Sequence, residues 1–132
     1  MHLLSTLPAF LAYFASAMGL LAAFVLVYLR ITAHAEIALI RQGNMAATVA
    51  LLGAVLGFAM PLASCIAHSV SLADMCVWAG VALVVQLLAY VLATHLVPRL
   101  TDGIDEGNLA HGSFLGGVSS VTGLINAACM VY

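Results

Sequence analysis

Residues 42–73 read QGNMAATVALLGAVLGFAMPLASCIAHSVSLA, and no Asp, Glu, Lys or Arg interrupts them. A helix rises about 1.5 Å per residue, so about 20 apolar residues are enough to cross the hydrocarbon core of a bilayer. A membrane β-strand would instead contain about ten residues of alternating character. This continuous apolar run therefore predicts a transmembrane helix.

The charged residues of the chain separate three more runs of the same kind. They are Arg30, Glu36, Arg41, Asp74, Arg99, Asp102, Asp105 and Glu106. Outside residues 42–73, they leave residues 1–29, 75–98 and 107–132 without a charge. We therefore predict an all-α membrane protein with four transmembrane helices, near residues 7–29, 44–68, 75–97 and 108–131.

The composition agrees with a lipid environment and excludes several classes of partner. Hydrophobic residues make up 65% of the chain and charged residues 6%, whereas soluble domains have about 45–50% and about 25%. A soluble fold of this length would leave large apolar patches exposed. The net charge is −2 and lysine is absent, so we expect the bilayer as a partner but no nucleic acid.

The positions of the arginines predict the orientation of the helices. Arg30 and Arg41 lie in the loop at residues 30–43, and Arg99 lies in the loop at residues 98–107. Basic residues are enriched in cytoplasmic loops. We therefore expect both loops in the cytoplasm and both termini on the opposite, periplasmic side.

An internal similarity predicts that the chain consists of two related halves. Residues 40–46 and residues 104–110 align after a shift of 64 residues, and both contain the dipeptide Gly-Asn just before an apolar run. We predict one membrane domain at residues 1–132, with repeat one near residues 7–68 and repeat two near residues 74–132. Each repeat crosses the membrane twice, so the two copies would be parallel.

Four motifs resemble a known family. They are Ile-Thr-x-His at residues 31–34, the paired Gly-Asn-x-Ala motifs, Gly-x-x-x-Gly-x-x-x-Pro-Leu at residues 53–62, and Asn-Ala-Ala-Cys-Met at residues 126–130. Together they resemble the YjfL-like bacterial inner membrane proteins, a domain of unknown function numbered 350 with two copies per chain. The resemblance implies the bacterial inner membrane and sometimes a setting beside PspA-like proteins, but no settled activity.

Small residues recur at spacings of three and four in the second and fourth predicted spans. Such faces allow helices to approach closely in lipid, and we interpret five glycines as packing residues: Gly53, Gly57, Gly112, Gly116 and Gly123. An alternative interpretation is a polar seam for a substrate. Its candidate residues are Ser119, Thr122, Asn126 and Gln86, the last of which needs a partner inside the membrane.

The repeated Gly-Asn pairs also mark the starts of two spans. Asn accepts hydrogen bonds from free N–H groups at helix N-termini, so we interpret Gly43, Asn44, Gly107 and Asn108 as the N-caps of the repeat motif. The functional alternative is that the two parallel helix N-termini attract an anion together.

Three thiols and one imidazole are predicted to lie near the outer side. Cys65, His68, Cys76 and Cys129 include ligand types that suit zinc or copper. Their spacing matches no established motif, and buried cysteines commonly behave as small apolar residues. We therefore predict no metal site and no cofactor.

The sequence favours no enzymatic function. It offers no nucleophile with a positioned base and no phosphate-binding loop, and histidine is the only ionisable side chain apart from thiols and phenols in the predicted spans. The glycine-rich faces exceed what four helices need, so we predict a homo-oligomeric channel or facilitator for ions or small solutes. The alternative is a non-transporting scaffold or stress-response component that docks a cytoplasmic partner, such as a PspA-like protein, through its solvated loop charges.

Overall fold

A computed structural model describes residues 2–32, 36–68 and 71–130. In these ranges the chain forms four long and two short α-helices. In chain order they are α1 (His2–Ile31), α2 (Glu36–Arg41), α3 (Met45–His68), α4 (Leu72–Leu96), α5 (Leu100–Asp105) and α6 (Leu109–Cys129). The predicted all-α architecture is confirmed.

Three of the helices are long and apolar enough to cross a membrane, as judged by length and composition. They are the Ser5–Ile31 part of α1 and the whole of α3 and α4. The fourth long helix, α6, has 21 residues and carries His111, Asn126 and several hydroxyl side chains, which lower its hydropathy. Each of the four predicted spans therefore corresponds to a long helix, and three of those helices qualify as candidate spans.

The tightest packing joins α3 to α6, and α4 packs against both of them. Helix α1 packs against α3 and α4 but is less covered than α3. Of the 18 residues in the most apolar stretch of each helix, 11% are buried in α1 and 44% in α3. The outward face of α1 carries the stacked rings of Phe10 and Phe14. This face suits lipid, so α3, α4 and α6 form the core of the bundle and α1 lies at its edge.

Aromatic rings attach α1 to the core. The ring of Phe24 stacks on Phe58 of α3 with centroids 4.4 Å apart. One turn further along α1, the ring of Tyr28 meets Tyr90 of α4 edge-on at 5.8 Å. Offset and edge-on arrangements are the favourable geometries for aromatic pairs, and these contacts fix the position of α1 along α3 and α4.

The short helix α2 ends at the first Gly-Asn pair. The Gly43 amide donates to the Ile40 carbonyl at 2.9 Å, and the Asn44 amide donates to the Leu39 carbonyl at 2.9 Å. These two bonds define a Schellman motif, in which the residue after the helix adopts a left-handed conformation. Gly43 has φ +85°, a conformation that glycine adopts without steric cost.

The second Gly-Asn pair ends α5 in the same way. The Gly107 amide donates to the Ile104 carbonyl at 3.0 Å, the Asn108 amide donates to the Gly103 carbonyl at 2.8 Å, and φ at Gly107 is +82°. The two glycines therefore terminate α2 and α5, instead of capping the helices that follow as predicted. The same main-chain hydrogen bonds recur at the shift of 64 residues found in the sequence.

Candidate functional site

The glycines of α3 and α6 lie where the two backbones meet. A Cβ added at Gly53 would lie 2.6 Å from the carbonyl carbon of Gly116, and a Cβ at Gly112 would lie 2.6 Å from the Cα of Ala46. Further along, a Cβ at Gly123 would lie 2.5 Å from the carbonyl carbon of Gly57. All three separations are shorter than normal carbon contacts of about 3.5–4.0 Å. The interface therefore has no space for side chains or for a solute.

Hydroxyl groups add hydrogen bonds across the same interface. Ser120 donates to the Gly53 carbonyl at 3.3 Å, and Ser64 donates to the Ala127 carbonyl at 3.4 Å. Small residues with hydroxyl donors are a common means of helix association in lipid. The α3–α6 interface thus has the character of a packing surface along most of its length.

Polar side chains meet on the other side of α6, where it faces α4 and α1. The Gln86 amide nitrogen on α4 donates to the Ser119 carbonyl at 3.1 Å. The Ser119 hydroxyl lies beside the Tyr28 hydroxyl of α1. Gln86 and Ser119 are fully buried and Tyr28 is 2% exposed. We call Tyr28, Gln86 and Ser119 the polar centre.

Three oxygen atoms of the polar centre lack a hydrogen-bond partner outside it. Among the described residues the Gln86 side-chain oxygen has no partner, and the neighbouring hydroxyls of Tyr28 and Ser119 have none besides each other. Leaving one such group unpaired in an apolar interior costs about 1–3 kcal/mol, whereas an apolar side chain of the same shape can be neutral or stabilising. The polar centre is therefore costly for packing alone.

The other two residues of the predicted seam lie further along α6. Asn126 is half-buried, and its side-chain nitrogen has no partner among the described residues. Thr122 is also half-buried but lines an open groove on the outer surface of α6 with Val118 and Val121. The structure thus brings Gln86 and Ser119 together and places Thr122 and Asn126 outside this contact.

Glu36 is a buried acid that sequence reasoning missed. It begins α2 and is 1% exposed, and its carboxylate accepts a hydrogen bond from the Thr32 hydroxyl. The pKa of Glu36 is raised to about 7: burial is the main cause, the bond from Thr32 lowers the pKa in part, and the nearby Asp105 raises it. The sequence held one indication of this burial, because the shift of 64 residues aligns Glu36 with the apolar Leu100.

The burial of Glu36 follows from the lengths of the helices. Phe24 and Phe58 are in contact, and α1 continues about 10 Å from Phe24 to Ile31, whereas α3 extends about 20 Å from Phe58 back to Met45. Helix α1 therefore ends before the level at which α3 begins. Thr32 and α2 occupy the remaining space, which places Glu36 between helices instead of at the surface.

Both asparagines of the repeat motif hold backbone groups. Asn44 accepts from the Ala47 amide at 3.0 Å and donates to the Ile104 carbonyl at 2.8 Å. Asn108 accepts from the Ala110 amide at 3.1 Å. Both side chains therefore act at the N-termini of α3 and α6, and Asn44 also connects the first half of the chain to the second. Joint binding of an anion stays a prediction.

The thiol and imidazole groups near the opposite end are not assembled into one site. Cys65 is buried with its sulfur 3.7 Å from the Met130 sulfur, whereas Cys76 and Cys129 are exposed. His68 lies against the Ser64 carbonyl of its own helix at 3.0 Å. Among residues 2–32, 36–68 and 71–130, no three His, Cys, Asp or Glu side chains are placed to hold a metal ion together.

Long apolar helices joined by short connections define this molecule as a small all-α integral membrane protein. The chain matches the family model Domain of Unknown Function (DUF350) over residues 2–130, and it belongs to that family. The match is a single copy across both halves, which corrects the expectation of two copies per chain.

Two relatives cover the whole chain. The chain is 39% identical over 132 residues to the UPF0719 inner membrane protein YjfL of Escherichia coli strain K12, with 100% of each chain covered. Identity and coverage are the same for the protein of that description from Escherichia coli O157:H7. No solved structure gives a significant match. The chain is thus an inner membrane protein with several candidate transmembrane helices.

Proposed function

We propose that the protein crosses the inner membrane four times and lets protons or another small cation pass along the polar centre. The observation that carries this proposal is the set of three buried oxygens at Tyr28, Gln86 and Ser119, which have no hydrogen-bond partner outside the polar centre among the described residues. Oxygen atoms are the ligands that hard cations prefer. Three side chains from three helices would together provide a short polar step in an otherwise apolar bundle.

The fourth crossing is inferred from the packing of α6. A helix of 21 residues is about 31 Å long, which matches the hydrocarbon thickness. Its contacts with α3 extend from Gly112 beside Ala46 to Gly123 beside Gly57, so α6 runs parallel to α3 and would cross wherever α3 does. Its lower hydropathy comes from polar residues on several faces: Ser119 faces α4, Ser120 bonds to α3, and Thr122 lines the outer groove.

The orientation and the duplication are part of the same proposal. The arginines place residues 30–43 and 98–107 in the cytoplasm by the positive-inside tendency. The recurrence of the Gly43 and Gly107 turns at a shift of 64 residues supports duplication of the unit formed by α2 and α3 into α5 and α6. Helix α1 does not follow this pattern closely, since it lies at the edge of the bundle while α4 lies within it.

The route proposed here lies within one chain. The glycine faces of α3 and α6, which suggested a pathway between subunits, pack against each other within one chain. The proposed route therefore does not use a second subunit. A homo-oligomer is a separate proposal. Gly117 has nothing within 4 Å of an added Cβ and lines the open groove of α6, and the mass of the protein in mild detergent would test whether a second copy fills it.

Conduction is tested by reconstituting purified protein into liposomes that contain a pH-sensitive dye. A potassium gradient together with valinomycin sets up a membrane potential that drives proton flux. Sodium flux is measured in parallel. We expect flux from the natural protein and its loss in Gln86→Leu, because leucine fills similar space without an oxygen. The matched control is Gln42→Leu at an exposed position, which should conduct normally. Absence of flux from the natural protein, or unchanged flux in Gln86→Leu, would reject the proposal.

A non-transporting scaffold is the second candidate, supported by the surface of α5. Asp102, Asp105 and Glu106 are exposed there, and an open cleft of about 290 Å³ is lined partly by Arg99, Asp102 and His111. Charged clefts of this kind suit a cytoplasmic protein partner. Two results together would favour this function. No flux would be detected in any assay, and one partner would be recovered in stoichiometric amount with the natural protein but not with Asp102→Lys.

A further inference from the structure

Glu36 occupies a place that the fold can fill with an apolar residue. In the second half of the chain the equivalent position is Leu100, which starts α5 and is 1% exposed. Both short helices then end in the same Schellman motif. A carboxyl group is therefore not required to start or seat such a helix, and its presence in α2 calls for a different explanation.

Burial and the like charge of Asp105 favour the neutral form of Glu36, whereas the hydrogen bond from Thr32 favours the ionised form. Thr32, 8% exposed, donates its hydroxyl hydrogen to the carboxylate. Tyr28 of α1 contributes a phenol and Asp105 of α5 contributes a like charge. Helix α3, on which α2 packs, contains no titratable residue before Cys65.

Two basic side chains flank Glu36 in the described sequence. Arg30 and Arg41 are exposed, Arg41 at the far end of α2. His111 of α6 lies against Gly103 of α5, and His34 is outside the described residues. A buried carboxylate with a like-charged neighbour is disfavoured relative to the neutral acid.

We propose that Glu36 is a proton-binding site that couples the seating of α2 to pH. Seated α2 holds the carboxyl as a neutral acid between α1 and α3, and loss of the proton favours a state in which α2 moves out and the carboxylate reaches water. The coupling is reciprocal, since a site that prefers the proton when seated is also seated more firmly when protonated. The pKa of the seated carboxyl is raised from 4.5 to about 7, so the seating of α2 weakens as pH rises through this interval. Cation conduction is not required for it.

The seating of α2 is measured by amide hydrogen exchange of the protein in nanodiscs between pH 5.5 and 8.5, corrected for intrinsic rates. Protection of residues 36–44 should fall as pH rises to about 7 and then level off, while residues 100–108, which contain α5, serve as the internal control and keep their protection. In Glu36→Gln, which is permanently neutral, residues 36–44 should stay protected throughout. Protection that is independent of pH in the natural protein, or equal loss in α2 and α5, would overturn the proposal.

A second measurement reads the proton directly. The infrared carbonyl band of a protonated carboxylic acid should be present at pH 6, vanish by pH 8.5, and be absent from Glu36→Gln at both values. If that variant does not fold, the titration of this band in the natural protein still decides. A natural protein without a protonated carboxyl band at pH 6 would refute the assignment.

Discussion

Replacing Gly123 with alanine probes the closest approach of α3 and α6. The new Cβ would lie 2.5 Å from the carbonyl carbon of Gly57, which is about 1 Å less than a normal carbon contact. The obstructing atoms belong to the backbone of Gly57. None of them can rotate away, so the two helices must separate. Extra volume in a well-packed interior costs about 1–3 kcal/mol, and a gap of about 1 Å also forfeits a quarter to a half of each dispersion contact nearby.

Gly117→Ala is the matched control in the same helix. An added Cβ there has nothing within 4 Å. Alanine restricts the unfolded chain and so stabilises a compatible helical position by about 0.4–1 kcal/mol. The two variants make the same chemical change in α6 but should shift stability in opposite directions, with a difference of about 1.4–4 kcal/mol between them.

The assay is equilibrium unfolding in mixed micelles, in which the mole fraction of sodium dodecyl sulfate is raised and helicity is followed by circular dichroism. Gly123→Ala should unfold at a lower detergent fraction than the natural protein, and Gly117→Ala at an equal or higher one. If the two variants shift the midpoint by the same amount, the α3–α6 contact does not have the geometry described above.

Two further predictions concern the loops. Asn44→Ala should destabilise the protein by about 2 kcal/mol, since it removes both a helix cap and the bond to the Ile104 carbonyl; Asn108→Ala removes the cap and should cost about 1 kcal/mol. Equal shifts of the unfolding midpoint would contradict this order. Glu36→Gln should match the natural protein below pH 4.5 and exceed its stability above pH 7 by up to about 3 kcal/mol. The reason is that the pKa of Glu36 is raised from 4.5 to about 7 in the folded state, so the natural protein loses stability as pH rises through this window. If the free energies of unfolding of the two proteins differ by the same amount at pH 4 and at pH 8, this prediction is wrong.

The long helices were predictable because length and absence of charge are local properties of the sequence. The uncharged run at residues 42–73 contains α3, and α4 begins at Leu72, just before the next run. The short helices α2 and α5 were not predicted. Each has six residues, which is too few for a periodic pattern to be distinguished. For the same reason, Gly43 and Gly107 could not be recognised as the ends of helices.

Glu36 illustrates what the sequence could not supply. Its burial depends on where α1 ends relative to α3, and that level is set by the contact of Phe24 with Phe58 between helices. The partner of Gln86 is a similar case. The sequence shows that an amide at mid-depth needs a partner, but only packing selects the Ser119 carbonyl.

Gly57 links the packing interface to the polar centre. A Cβ there would lie 2.6 Å from the Gln86 side-chain nitrogen and 2.9 Å from the carbonyl carbon of Ser119. The absence of a side chain thus lets α3 approach α6 and also leaves room for the hydrogen bond between Gln86 and Ser119. A loss of conduction in Gly57→Ala would therefore not separate packing from permeation, because both would change together. Gln86→Leu leaves the glycine contacts of α3 and α6 in place, but it removes the hydrogen bond from α4 to the Ser119 carbonyl together with the amide oxygen. A loss of conduction is therefore assigned to the oxygen only if the unfolding midpoint of this variant matches that of the natural protein.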